Sequence, residues 1–374
     1  MSLDSSLGLA NALSKYCQMD LYCPSWPAEQ EEPAVLDALE DNVGRGFFGK
    51  YRVRDIRNIV VYRKLCERIR RKNYDVMHFQ SAGTIWMRLF WYKWRHIPLV
   101  ITVHDPNEHP GMPLAISVQQ GLAQRLIIKK ASKIIVHGSF SKQQLLQKYR
   151  SLNPNDIKVV PLGPNIAITR WKSEATQHTK QASGPKRILF FGSDRPNKGL
   201  EYLLRAEPYI RRSLSNYKII VAGKCCRLSD YRSLVQNSSN IILINEFISS
   251  RAAAKIFAES TVVVVPYVSG TQSGIIPLAY AFGKPVIATN VGAMREVVLD
   301  GQTGVLVEPR SEKALADAIA SLLSNEDKLA QMGRMAHEFS ERLSWEAIGI
   351  ETLEVYRAAA TSGSRRPTFA AGKT

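Results

Sequence analysis

No stretch of the sequence comes near the roughly 18 consecutive apolar residues of a membrane-crossing helix, although 45% of its 374 residues are hydrophobic. The apolar residues come in short runs, so an integral membrane protein is not expected. Cysteine is scarce: there are five, none in a C-x-x-C pair, with Cys225 and Cys226 adjacent. That usage gives neither a disulfide framework nor a zinc site and suits reduced thiols in a cytoplasmic protein. The opening segment MSLDSSLGLANALSKY lacks a basic stretch followed by an apolar block and carries Asp4, so it does not read as a secretory signal.

Acidic residues are in short supply too, with 33 Asp plus Glu against 50 Lys plus Arg and a net charge of +17. A field of that size favours a polyanionic partner: nucleic acid, anionic lipid or a phosphorylated substrate. Residues 50–72 gather Lys50, Arg52, Arg54, Arg57, Arg63, Lys64, Arg68, Arg70, Arg71 and Lys72 against only Asp55 and Glu67. Beyond them, WMRLFWYKWR (86–95) interleaves three of the six tryptophans with Arg88, Lys93 and Arg95, a mixture suited to a lipid headgroup interface. Three readings stand: a partly buried helix with a solvated basic face, docking on an anionic membrane surface, and binding of nucleic acid. Of the two functional readings, the aromatic residues put the membrane ahead of nucleic acid, which is not expected.

What is present is a chain long enough for two domains, in which short apolar runs alternate with amphipathic stretches. That is the pattern of parallel strands joined by crossover helices. Strands are expected at 19–22, 76–79, 99–103, 133–136 and 158–160 in the first half, and at 187–191, 217–222, 241–245, 261–265, 285–288 and 304–307 in the second. The expectation is an α/β protein with two doubly wound parallel sheets: a domain over 1–165, a polar linker over 166–185, a second domain over 186–340, a helix over 341–360 and a disordered tail over 361–374. A doubly wound sheet normally opens with a central strand running into a glycine turn. Here Ser5-Ser6-Leu7-Gly8 reads as that turn with no strand before it, so the natural chain is expected to start upstream of Met1.

Two segments carry chemistry. RILFFG (187–192) runs into SDRPNKGLEYLL (193–204), a strand that ends at Gly192, turns through a basic loop and enters a helix. Helix amides, with Lys198 or Arg195, can there neutralise a diphosphate. VVVVPYVSGTQSGIIPLAYAFGKPVIAT (262–289) empties a buried strand into a polar loop. Its Gly270, Thr271, Gln272, Ser273 and Gly274 offer small hydroxyls and backbone amides where phosphate or sugar oxygens could be held.

In order and spacing, FGSDRPNKGLEYLLRA, the 262–289 segment, VGAMREVVLDGQTGVLVEP and SWEAIGIETLEVYRAA resemble the C-terminal half of glycosyltransferase family 4, the group 1 glycosyltransferases. The strand ends YDVMH (74–78), PLVITVHD (98–105), SKIIVHGS (132–139) and KVVPLG (158–163) resemble its N-terminal half. The resemblance implies a GT-B fold, two Rossmann-like domains facing across a cleft, with an acceptor-side first domain and a nucleotide-sugar-binding second one. It implies a metal-independent, retaining hexosyltransferase without cofactor, its co-substrate a nucleotide-diphosphate sugar and its acceptor a glycan or lipid-linked molecule. The enzyme would be cytoplasmic, peripheral at the inner membrane face, and engaged in polysaccharide or glycolipid assembly.

In residues, the resemblance implies that Lys198 neutralises the leaving diphosphate. Ser193 stands where the family has a second cation, and Arg195 is the candidate to replace it. His104, in a His-Asp pair with Asp105, would approach the transferred sugar. Gly192, Ser193, Gly199, Thr271, Gln272, Ser273, Gly274, Ile275 and Glu296 would bind donor, with Gly8, His78 and Asp105 on the acceptor side. The family's two donor-binding glutamates are replaced by Gly270 and Leu278, which leaves open an alternative: a non-catalytic GT-B-like partner subunit of a glycan-assembly system.

Overall fold

The computed structural model describes residues 3–25, 38–49, 51, 55–80, 94, 96–107, 121, 124–177, 184–225, 228–236 and 238–361. Lys50, Arg52 and Arg54 of the basic stretch, all of 86–95 except Trp94, residues 178–183 and the tail from 362 lie outside them. The chain divides into two compact units, Met1–Pro161 with Trp345–Thr374, and Leu162–Ser344.

In the first unit, β1 (Asp20–Ser25) and β2 (Gly44–Gly49) pair in parallel, and β3 (Met77–Phe79), β4 (Leu99–Thr102), β5 (Lys133–Val136) and β6 (Ile157–Val159) form a second parallel sheet in that order. Every residue of β4 is buried, as expected of a strand covered on both faces. Helix α1 (Leu3–Ser14) and α2 (Arg57–Arg70) come from this half of the chain, α3 is Ser139–Lys148, and α13 (Trp345–Thr361) returns from the far end. Helix α2 buries Tyr62, Leu65, Cys66 and Ile69, a stripe at helical spacing, in a core shared with Phe79, Leu99, Ile101 and Ile134. A second cluster joins Leu9 and Leu13 of α1 and Ile348, Leu353 and Tyr356 of α13 to Val100, Ile135 and Val160.

Two expectations change in this unit. Ser5 to Gly8 is not a turn but the interior of α1. Glycine weakens a helix by about 1 kcal/mol relative to alanine, but a Cβ at Gly8 would lie 2.3 Å from the Trp345 indole. The missing side chain is thus the space the ring fills, and Gly8 packs a helix pair rather than facing a substrate. Strand β2, GRGFFG, was not expected, because glycine is a poor strand former; Gly44 and Gly46 lie under Asp20 and the Tyr22 ring, which leave no room for a Cβ.

The second unit is one six-stranded parallel sheet in the order β12-β11-β10-β7-β8-β9. Its strands are β7 (Lys186–Phe191), β8 (Tyr217–Ala222), β9 (Ile241–Ile244), β10 (Val262–Val265), β11 (Val286–Thr289) and β12 (Gly304–Val307). The helices α4 (Ile166–Thr169), α5 (Lys172–Gln177), α6 (Leu200–Ser213), α7 (Leu228–Gln236), α8 (Ser250–Glu259), α9 (Ile275–Ala281), α10 (Met294–Val297), α11 (Glu312–Leu323) and α12 (Glu326–Ser340) accompany it. From β7 the chain winds outward one way and from β10 the other, so strand order reverses between these neighbours, and open α/β sheets bind ligands at the carboxyl ends of such strands.

The stretch read as a linker opens instead with α4 and α5. Asn165 caps α4 by accepting from the Ile168 amide at 2.9 Å. Ala167 and Ile168 are buried, Ile168 in the second unit's core with Trp171 packed against it. Polar neighbours at 169, 173 and 176–177 had hidden this short apolar face.

Candidate active site

In the second unit, three loops meet at the carboxyl ends of β7, β10 and β11, held by glycines that only glycine can replace. After β7 the chain turns at Gly192, whose carbonyl would lie 2.3 Å from a Cβ on Gly223 at the end of β8. Pro196–Lys198 then forms a 3-10 turn, and Gly199, left-handed at φ 67°, is the N-cap of α6. A Cβ on Gly199 would lie 1.9 Å from the Pro266 carbonyl oxygen, so this loop rides directly on the backbone that follows β10. The Val268 amide donates to the Asn197 carbonyl at 2.9 Å. On the other side, a Cβ on Gly292 (φ 56°) would lie 1.9 Å from the Gly270 carbonyl oxygen, and the Ala293 amide donates to the Thr271 carbonyl at 3.1 Å.

Lys198 is the centre of this arrangement. Its ammonium stands 3.8 Å from the centroid of the Tyr267 ring, a cation held by an aromatic face. The Tyr267 hydroxyl accepts from Ser273 Oγ at 3.1 Å, and Ser273 Oγ accepts from the Ile275 amide at 3.3 Å. Lys198, Ser273 and Ile275, three of the second unit's candidates, are therefore joined through Tyr267. Ser273 is 8% exposed and its hydroxyl supports Tyr267 and the start of α9, so it is a support and not a free sugar ligand. Thr271 is also 8% exposed, while Arg195 and Glu296 are exposed and Ser193 half-buried. Tyr267 escaped the sequence reading; the signal was an aromatic between a four-valine strand and a glycine loop.

The two positions that lack the family's glutamates differ. Gly270 adopts φ 159°, with open space beyond 3.6 Å around a built Cβ. Leu278 is 1% exposed and part of the core. Among the described residues, no group of three or more His, Cys, Asp or Glu side chains is placed to hold a metal ion.

In the first unit, a row of histidines crosses the sheet. His78 lies on β3, and the β4–β5 register, Thr102 opposite Ile135, sets His104 beside His137 just past the strand ends. His78 Nδ1 is 2.7 Å from the Tyr356 hydroxyl and Nε2 is 2.8 Å from Thr102 Oγ1. His104 Nε2 is 3.0 Å from the Gln80 carbonyl, its Nδ1 is 3.0 Å from His137 Nε2, and His137 Nδ1 is 2.9 Å from the Val160 carbonyl. Burial pushes His78 and His104 down to about 3 and lowers His137 as well. Asp105 turns the chain after His104: its Oδ1 accepts from the Asn107 amide at 3.4 Å and its carbonyl from Gln124 Nε2 at 3.1 Å. His137 was missed by the sequence reading, although SKIIVHGS ends its strand as PLVITVHD does.

The basic stretch spends part of its charge internally, Arg57 on Asp55 at 2.6 Å and Arg63 on Glu67 at 3.2 Å. Lys72 pairs with Asp20. Beside these cations stand exposed apolar side chains, Ile56 (75%), Val60 (55%), Phe47 (46%) and Ile59 (43%). Trp94, expected at a headgroup layer, is instead fully buried beside Phe79, ring centroids 6.5 Å apart. Its indole belongs to the core and is not available to lipid.

Two units, each with a parallel sheet flanked by helices, define a GT-B protein. The same fold is found in the sucrose-phosphate synthase of Thermosynechococcus elongatus, TM-score 0.72 at 18% identity over 95% of this chain and 92% of that one. It recurs in Anabaena HepE, solved with UDP and glucose, TM-score 0.72 at 16% identity over 94% and 95% of the two chains. The family pattern described as Glycosyltransferase Family 4 matches residues 6–167, and that of Glycosyl transferases group 1 matches residues 185–325. The chain belongs to this family and is a glycosyltransferase. Among its relatives are the phosphatidyl-myo-inositol mannosyltransferase of Mycobacterium leprae, 27% identical over 78% of this chain and 76% of that protein, and the D-inositol 3-phosphate glycosyltransferase of Segniliparus rotundus, 26% identical over 72% of this chain and 63% of that protein.

Proposed function

We propose that this glycosyltransferase transfers a hexose, with retention and without a metal, from a nucleoside diphosphate sugar to a glycan or lipid-linked acceptor at the inner face of the cytoplasmic membrane. The observation that carries the donor reading is the placement of Lys198, held on Tyr267 beside the start of α6 at the sheet's reversal point. A diphosphate there meets a full positive charge and the amide end of a 14-residue helix, and fixed charge aimed at a leaving group is a leading source of rate enhancement. In the proposed step the C1–O bond to the diphosphate breaks and a bond from C1 to the acceptor oxygen forms on the same face. The hydroxyl proton passes to a phosphate oxygen of the departing group.

A panel of nucleotide sugars, with nucleotide release as readout, tests this. Turnover of at least one donor is the expected outcome. If no donor binds or turns over, the second reading, a non-catalytic partner subunit, replaces it; the absence of a carboxylate at Gly270 and Leu278 favours that reading.

The membrane part of the proposal rests on the exposed Ile56, Ile59 and Val60 beside the basic side chains of α2, a combination that lies down on anionic headgroups. A lipid in the mannosyltransferase relative's name supports an acceptor of that kind. The protein is expected to float with anionic vesicles, to stay behind with neutral ones, and to lose flotation when Ile56 and Val60 are both changed to Ser. Equal behaviour with both vesicle types would remove the membrane from the proposal.

A further inference from the structure

We propose that Tyr267 is a positioning residue for the transfer: its ring holds the Lys198 ammonium in place without neutralising it, and the Ser273 hydroxyl fixes the ring. The loops after β7 and β10 pass each other in opposite directions with matched residues. The Asn197 carbonyl accepts from the Val268 amide at 2.9 Å, the Lys198 ammonium stands 3.8 Å from the Tyr267 centroid, and Gly199 rests on the Pro266 carbonyl. Residues 197, 198 and 199 thus meet 268, 267 and 266 in turn. This register, which leaves no room for a Cβ at Gly199, is what delivers the ammonium to the ring.

An aromatic face attracts a cation through its quadrupole and carries no net charge. A carboxylate in that place would hold the lysine as well, but it would cancel the charge and occupy N–H donors that a diphosphate needs. Among the described residues nothing else engages the ammonium by hydrogen bond or ion pair. Lys198 therefore keeps its charge and its N–H donors for a ligand, while the ring restrains a long, flexible stem that would otherwise let the head wander. An aliphatic side chain at 267 could fill much of the same space and would leave that head unheld.

The ring itself has little freedom. Tyr267 is 4% exposed, in a core shared with Ile276, Leu278 and Ala288, and its carbonyl accepts from Thr289 Oγ1 of β11. Its hydroxyl accepts from Ser273 Oγ at 3.1 Å, which in turn accepts from the Ile275 amide at 3.3 Å at the start of α9. The place of the cation is thereby tied to β11 and α9 as well as to its own loop. A charge already in place costs no reorganisation as the leaving group gains negative charge, and that is where its effect on rate comes from. The contact stands on the second unit alone; its catalytic role rests on the donor reading above.

Two measurements on the whole protein test this. The first is 13C NMR of the protein labelled on lysine, with Lys198 assigned by its loss in Lys198→Ala. Protons above an aromatic face are shielded, so the Lys198 ε-methylene is expected upfield of the other lysines in the free protein, still so in Tyr267→Phe and no longer so in Tyr267→Leu. The second is a double-mutant cycle on kcat with the donor found in the panel. Tyr267→Leu should lower kcat by about tenfold or more, since misplacing a fixed group by about 1 Å costs up to about 10²-fold, and Tyr267→Phe should recover most of that loss. In the Lys198→Ala background Tyr267→Leu should change kcat by less than about twofold, because a residue that acts through another is coupled to it. An unshifted Lys198 signal, a kcat in Tyr267→Leu close to the parent's, or an equal loss in both backgrounds would each overturn the proposal. If Tyr267→Leu does not fold, Ser273→Ala takes its place in the cycle, with a loss expected only where Lys198 is present. Failure of the donor reading looks different: Lys198→Ala then turns over as the parent does, or no donor is used, and the role in transfer falls while the Lys198 signal stays shifted.

Discussion

Lys198→Ala should lower turnover by about 10²–10³-fold, the range found when one fixed donor to a developing negative charge is removed. The ammonium is held on Tyr267 before any substrate arrives, so little reorganisation is needed as charge moves onto the leaving diphosphate. Ser193 carries no charge and Arg195 is exposed, so neither is fixed in place of the lost cation. Stability should change little, because an aromatic–cation contact at such a site contributes about 0.5–1 kcal/mol. The loop keeps its fold through Gly199 and the Val268–Asn197 hydrogen bond. Steady-state rates with the donor found in the panel, beside a thermal melt, check both halves. A rate within tenfold of the parent would take Lys198 out of the site and leave the donor reading without its main support.

Leu278→Glu restores a family carboxylate and should harm the protein. The position is 1% exposed among apolar side chains. A carboxylate buried there without a partner costs several kcal/mol or gains a proton. Adding the lost leucine packing, a fall of about 3–5 kcal/mol is expected, which lowers Tm by roughly 6–20 °C for a unit of this size. Burial would raise the new carboxyl's pKa in the folded state above its unfolded value. The deficit is therefore smallest below the unfolded value and grows as pH rises through the raised one. Melting curves across pH measure this. An unchanged Tm together with faster turnover would mean that the carboxylate can reach the donor and that the reading of this position is wrong.

Legibility in the sequence followed the physics of each element. Strands such as β10, four valines buried on both faces, announce themselves as uninterrupted apolar runs, and Lys198-Gly199 was readable as a basic turn ahead of a helix because only glycine adopts that φ without strain. Where tertiary contacts override local preference, the sequence misled. Gly8 reads as a turn until Trp345, some 340 residues away (numbers 8 and 345), is seen to need its space. The glycines of β2 read as loop until Tyr22 and Asp20 cover them. Ile166-Ala-Ile168 was outweighed by its polar neighbours. The site suffered in the same way: Ser273 looked like a ligand because its partner, Tyr267, is reached only through the fold, and His137 became visible only once the β4–β5 register set it against His104.

The core beneath the histidines draws Leu353, Tyr356 and Ala359 from the final helix, α13, onto Val100, Ile135 and Val160. On the ribosome this reverses the usual order in which early domains mature first. Leu162–Ser344 is synthesised whole and can close its sheet while the earlier unit still lacks one wall. The first-made half lacks that wall, its apolar face open to chaperones or to misassociation, until α13 has been synthesised.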